Sequence, residues 1–232
     1  MINDAQIIKD LDALYAKIHS DGQKAIRNGM ELIDPYLQQK DQDQRRGLAL
    51  LANPKGPIPK NLGMLLNEMK AIEPVQYYYP ETDFHVTVMD LISANLQFTA
   101  DETLIQKANQ IIETAITGMA PFDIHFKGII VSNGAILAKG YYNGGLPQLR
   151  DKIRKIAAEY DFNLEERYQS ISAHVTIARF ISKAVSSELL LAKIGDYHDF
   201  EIGVTRVNDL ELVIHDWYNS RKNVIRKFIL EG

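Results

Sequence analysis

The chain has 232 residues, 46% of them hydrophobic, with a formal net charge of −4 and no cysteine. That length can bury a substantial core as one large domain or two lobes, while the missing cysteines exclude disulfides, thiolate metal sites and cysteine nucleophiles and suit a reducing, cytoplasmic setting. The negative balance argues against a protein that grips long nucleic-acid duplexes, where each neutralised phosphate adds affinity, and no apolar run approaches the roughly 20 residues that span a bilayer.

From the N-terminus, Ile7, Ile8, Leu11, Leu14, Tyr15 and Ile18 predict a helix over 4–19. This stretch lacks a basic start, an apolar block and a small-residue cleavage site, so it does not read as a signal peptide. Ile26, Met30, Ile33 and Leu37 predict a second helix over about 22–40, kinked or divided at Pro35. The polar run KDQDQRR (40–46) reads as a linker. Residues 1–44 are therefore expected to form a helical N-terminal extension, and 45–232 the main domain.

GLALLANP then reads as a short buried strand, followed by a helix near 60–72, a Tyr-rich strand at 75–79 and a strand at FHVTVMDLI (84–92). A helix is expected over 101–117, with Thr99 or Asp101 as its cap. FDIHFKGIIV (122–131) and AILAKGYY (135–142) flank Ser132-Asn133-Gly134, a hairpin signal. A helix follows over 145–160, with Leu146, Leu149, Ile153, Ile156 and Ala157 on one side. SAHVTIARFI (172–181) reads as a strand and 185–194 as a short helix. Strands near 199–206, 208–215 and 223–230 complete the chain. Several strands are joined by tight turns, which predicts an α+β fold of largely antiparallel sheets rather than a doubly wound parallel one.

One pattern recurs. His85-Val-Thr87-Val and His174-Val-Thr176-Ile place the same residue types in the same strand context, which suggests a duplicated lobe. In a strand, residues i and i+2 share a face. Each imidazole therefore projects beside a threonine hydroxyl, while Val86, Val88, Val175 and Ile177 turn to the core. Strand threonines and packed histidines are common, and a single copy would carry little. With 6 histidines in the chain, two such pairs arise by accident in roughly 2% of sequences of this composition. In-line displacement at phosphorus needs a base on the attacking oxygen, an acid on the leaving oxygen and fixed donors for the non-bridging oxygens. Two histidines and two threonines supply that set, because histidine titrates near neutrality.

These residues resemble the signature of the two-histidine (2H) phosphoesterase superfamily, which includes RNA 2′–5′ ligases and 2′,3′-cyclic nucleotide phosphodiesterases. The resemblance spans about residues 45–232, and Ala178-Arg179 looks like the family's usual continuation of the second motif. It implies a bilobal fold of two pseudo-twofold-related antiparallel sheets whose cleft holds both motifs. It further implies His85 and His174 as acid and base, Thr87 and Thr176 as phosphate donors, and no metal or organic cofactor. The expected activity is hydrolysis of a 2′,3′-cyclic phosphate or related nucleotide or RNA-end phosphodiester. RNA 2′–5′ ligation and a non-catalytic nucleotide or RNA-end binder are the alternatives. The chain departs from the family pattern at Ser172, where many members carry arginine, and at Asp90-Leu91-Ile92, where many have Leu-Gly.

Other candidates are weaker. Arg179 has odd parity relative to His174 and Thr176, so it reaches the cleft only if the strand bends. Tyr142, with Tyr77, Tyr78, Tyr79, Phe126, Tyr141 and Trp217, could stack on a base, although each such residue is more often part of a core. His19, His125, His198 and His215 have no partner at metal or triad spacing. The basic clusters at 152–155 and 221–227 read as solvated faces. No His-Glu-x-x-His, Walker loop or Gly-x-Ser-x-Gly is present, which gives the zinc-hydrolase, NTPase and serine-hydrolase readings little support.

Overall fold

The computed structural model describes residues 4–166 and 169–231. Two antiparallel sheets form the frame. The first has four strands: β1 (Arg46–Ala52), β3 (Val86–Asn95), β8 (Asp209–His215) and β9 (Lys222–Ile229), in the order β3-β1-β8-β9. The second has five: β2 (Tyr77–Tyr78), β4 (Phe122–Val131), β5 (Ala135–Tyr142), β6 (Val175–Arg179) and β7 (Glu201–Val207), in the order β2-β6-β5-β4-β7. The expected α+β, two-sheet architecture is what the chain adopts.

Helices α1 (Asp4–Arg27), α2 (Ile58–Ile72) and α5 (Ser187–Asp196) pack against the five-stranded sheet, and α2 and α1 both touch α5. Helices α3 (Glu102–Ile116) and α4 (Gly145–Glu159) pack together, and α4 reaches β3 of the other sheet. Asp101 caps α3 as expected, its carboxylate accepting from the Leu104 N–H at 2.8 Å. The hairpin β4–β5 turns at the anticipated Ser132-Asn133-Gly134, where the Ser132 hydroxyl accepts from the Ala135 N–H at 3.0 Å.

The N-terminal region differs from expectation. α1 runs past residue 19 and straight through Gly22, where any side chain would collide with the Val131 carbonyl oxygen. Glycine at that point lets the helix lie directly on the sheet backbone. The helix stops at Gly29, which has φ +61°. Met30 N–H donates to the Ala25 carbonyl at 2.8 Å and Gly29 N–H to that of Ile26 at 3.1 Å, a Schellman termination. The helix predicted over 22–40 is therefore absent as a unit: its start belongs to α1, and only a 3₁₀ turn at Leu37–Gln42 follows. Tyr15, 1% exposed, anchors α1. Its hydroxyl donates to the Gly140 carbonyl at 2.9 Å and accepts from the Gly140 and Ala173 N–H groups.

Candidate active site

Both motif histidines sit one residue ahead of their strands, His85 before β3 and His174 before β6. The alternation read from the sequence holds: Val86, Val88, Val175 and Ile177 are buried, while His85, Thr87, His174 and Thr176 line one cavity of about 210 Å³. One histidine-threonine pair thus comes from each sheet, and the two meet across a single space.

Arg179 lines the same cavity, and the register explains how. Between β5 and β6, Leu137 pairs with Thr176 but Ile136 pairs with Ala178, so two β6 residues oppose one. This bulge at Ile177 buries Ala178 and returns Arg179 to the face of His174 and Thr176. Its Nε donates to the Tyr79 hydroxyl at 2.9 Å. Tyr142 does not reach the cavity. It is 6% exposed and its hydroxyl donates to the Ile171 carbonyl beneath the second motif.

The two imidazoles are held differently. His85 Nδ1 lies 2.8 Å from the Asp83 carbonyl oxygen. A carbonyl only accepts, so Nδ1 carries the proton and the neutral ring keeps its lone pair on Nε2. The same carbonyl accepts from Asn219 Nδ2 at 3.3 Å. Asn219, at φ 59°, belongs to a tight turn organised by the fully buried Asp216 carboxylate, which accepts from Tyr218 N–H, Ser220 N–H and the Ser220 hydroxyl. His174 Nδ1 instead meets the Ser172 hydroxyl at 3.0 Å, a partner that can donate or accept. Burial pushes both rings down to about 4. For His85 the Asp83 bond opposes the shift and Lys222 and Arg179 add to it; for His174, His85, Arg179 and Arg150 add to it. Both rings are therefore neutral at pH 7.

Among the described residues, no group of three or more His, Asp or Glu is placed to hold a metal ion. The profile of the 2'-5' RNA ligase superfamily matches residues 59–218. The chain belongs to this superfamily. No curated protein sequence matches it. Among solved structures, TT0787 of Thermus thermophilus is similar with a TM-score of 0.56 at 16% identity, covering 81% of this chain and 98% of that one. LigT of E. coli, complexed with 3'-AMP, gives a TM-score of 0.53 at 15% identity, covering 81% and 99%. A protein described as a phosphoesterase gives 0.53 at 15%, covering 82% and 100%. At such identities the likeness is one of fold.

In this 2'-5' RNA ligase superfamily member, the cavity also takes Arg150 and His215 from outside the two motifs. Arg150, from α4, is 1% exposed. Its Nε donates to the Val88 carbonyl at 2.8 Å, and its Nη2 to those of Thr87 at 3.0 Å and Ser172 at 2.7 Å. One guanidinium therefore ties the backbone of the first motif to the residue two before the second histidine. A signal for it existed, since position 150 falls within the apolar stripe of Leu146, Leu149, Ile153 and Ala157, where a charge needs a buried reason. His215, at the end of β8, stacks edge-on to His85 with ring centroids 6.4 Å apart. It is 8% exposed, and its Nδ1 is buried without a partner. Burial, with His85 adding to it, pushes its pKa down to about 3. Nothing in the local sequence around residue 215 marked it. His19, His125 and His198 lie elsewhere: His19 Nδ1 accepts from Val131 N–H, and His125 and His198 pair with Glu201 and Asp199.

Proposed function

We propose that this protein hydrolyses a 2′,3′-cyclic phosphate, or a closely related nucleotide or RNA-end phosphodiester, by acid/base catalysis between His85 and His174. The observation that carries the reading is the convergence of both histidine-threonine pairs and Arg179 on one cavity from two different sheets.

The hydrogen-bond pattern distinguishes the two rings. His85, its Nδ1–H committed to the Asp83 carbonyl, presents Nε2 as an acceptor and takes the proton from the attacking water. When the Ser172 hydroxyl donates to Nδ1 of His174, that ring carries its proton on Nε2 and faces the leaving oxygen as a donor. An anionic phosphate between the rings offsets the burial that holds both neutral, so binding draws a second proton onto His174 at Nδ1, and the Ser172 hydroxyl turns to accept it. Water attacks phosphorus, the bond to one ribose oxygen breaks, and His174 protonates that oxygen. The products are a phosphomonoester and a free hydroxyl, with the site restored by proton exchange with solvent. Thr87 and Thr176 hydroxyls and the Arg179 guanidinium face the non-bridging oxygens, where negative charge grows. A protein of similar fold provides a parallel, in that LigT has been crystallised with 3'-AMP and with phosphate.

The test is a screen of 2′,3′-cyclic mononucleotides, cyclic-phosphate RNA ends and 2′–5′-linked oligonucleotides, with EDTA present. Hydrolysis of at least one, unaffected by the chelator, is expected. Activity that collapses with EDTA and returns with a divalent ion would overturn the mechanism. Joining of RNA ends without hydrolysis would move the protein to the ligase reading.

A further inference from the structure

The cavity is small for the substrate it is proposed to hold. Its volume of about 210 Å³ lies below the roughly 300–1,000 Å³ of ordinary small-molecule sites. It accommodates a phosphate and the sugar atoms next to it, so the rest of a nucleotide must leave through a side. A groove of about 830 Å³ adjoins the cavity, with Arg179 and Trp217 lining both.

This groove is built by the segment ahead of the main domain. Leu32, Ile33, Asp34, Pro35 and Tyr36 form one side, and the β4–β5 turn at Ser132–Ala135 forms the other. Backbone bonds fix the segment there: Leu32 N–H donates to the Asn133 carbonyl at 2.8 Å, and Asp34 N–H to that of Phe180 at 3.1 Å. Beside the mouth of the cavity, the Arg45 guanidinium lies 4.1 Å from the Tyr36 ring centroid and 5.2 Å from that of Trp217. Arg45 is itself fixed by a two-pronged pairing with the buried Asp43 carboxylate and by the Tyr218 hydroxyl. The result is a rigid wall of two rings and a planar cation, the kind of surface on which nucleobases stack.

We infer that the groove formed by residues 32–36, Arg45, the β4–β5 turn and Trp217 is the nucleoside subsite, which makes the substrate a base-bearing phosphodiester rather than a bare sugar phosphate. The inference rests on the phosphodiester reading of the cavity and adds to it the part of the ligand that the two motifs do not touch. It also gives the N-terminal segment a direct part in recognition.

Trp217 is the sole tryptophan of the chain, so the groove has a built-in reporter. Calorimetric titrations of the full chain with inorganic phosphate, ribose 5-phosphate and the four 3′-nucleoside monophosphates, with Trp217 fluorescence followed alongside, test the assignment. Nucleotides are expected to bind more tightly than ribose 5-phosphate and to quench Trp217 more strongly than phosphate or ribose 5-phosphate does. Tyr36→Ala, at a position 46% exposed, should weaken nucleotide binding by roughly 5- to 150-fold, in line with the worth of a stacked base. Tyr36→Phe, which keeps the ring, should retain it. If phosphate binds but nucleotides bind no better than ribose 5-phosphate, Trp217 responds to all of them alike and Tyr36→Ala changes nothing, the groove assignment falls while the cavity reading stands. If neither phosphate nor any nucleotide binds, the cavity reading fails and takes the groove with it. Should Tyr36→Ala melt early, the comparison of ligands on the unaltered chain still decides between these outcomes.

Discussion

Replacing Arg150 by methionine probes the link between the two motifs. The change keeps the length of the side chain inside α4 but removes every donor, leaving the carbonyls of Thr87, Val88 and Ser172 without this partner. Each buried acceptor left unpaired costs about 1–3 kcal/mol. Removing a buried charge returns part of that, because the guanidinium no longer has to be desolvated. A net loss of about 3 kcal/mol is expected, which for a chain of this size lowers the melting temperature by roughly 6–12 °C. Turnover should suffer beyond the loss of folded protein. The guanidinium fixes where the first motif's strand lies relative to Ser172, and a misplacement of about 1 Å at a reacting group costs on the order of 10²-fold. Arg150→Lys keeps the charge, but a single ammonium cannot satisfy three carbonyls in the fork's geometry, so an intermediate defect is expected. Circular-dichroism melts and kcat/KM on the best substrate, measured well below the melting temperature, provide the two readings. A methionine variant that melts within about 2 °C of the parent and turns over normally would refute the claim that Arg150 aligns the two halves of the site.

Acid should destabilise the protein sooner than its carboxylates alone would cause. His85 and His174 are lowered to about 4 and His215 to about 3 by burial. The unfolded chain therefore takes up protons near pH 6.5 that the folded chain refuses, and the melting temperature should fall as pH drops from about 6.5 towards 4. Saturating phosphate should blunt that fall, and melting curves that stay flat between pH 7 and 5 would contradict it. Alanine at His85 or His174 should cost about 10²–10⁴-fold in turnover. An activated leaving group should partly rescue the His174 variant but not the His85 variant; rescue of His85→Ala alone would make His85 the acid and His174 the base. Valine at Thr87 or Thr176 should cost up to about 10²–10³-fold with the fold intact, measured as kcat beside an unchanged melting temperature.

The motif pairs were legible because strand geometry converts a two-residue spacing directly into a shared face. The helices α2, α3 and α4 and the β4–β5 hairpin were legible for the same local reason. What the sequence left open depends on distant partners. Arg179 was a candidate that needed a bend in its strand, and that bend is a bulge set by the pairing of β6 with β5, which no property of residues 172–181 announces. His215 enters because β8 lies two strands from β3, a neighbour fixed only when the sheet closes. The failure over residues 22–40 has a different origin. Apolar spacing continued across Gly29, and the positive-φ glycine that ends the helix outweighed the periodicity.

Each sheet draws its strands from both sides of the chain. β1 and β3 share a sheet with the C-terminal β8 and β9 through the β1–β8 pairing, while β2, early in sequence, closes the edge of a sheet otherwise made of residues 122–207. Neither lobe is therefore a stretch of chain that could be excised, exchanged or inherited alone. During synthesis β1 waits for β8, some 160 residues later, before its second edge is covered, so one edge of the hydrophobic strand Leu48–Leu51 stays unpaired until β8 has left the ribosome. Any ancestral doubling of a single lobe must have been followed by an exchange of strands, after which the two halves could no longer fold, or be lost, independently.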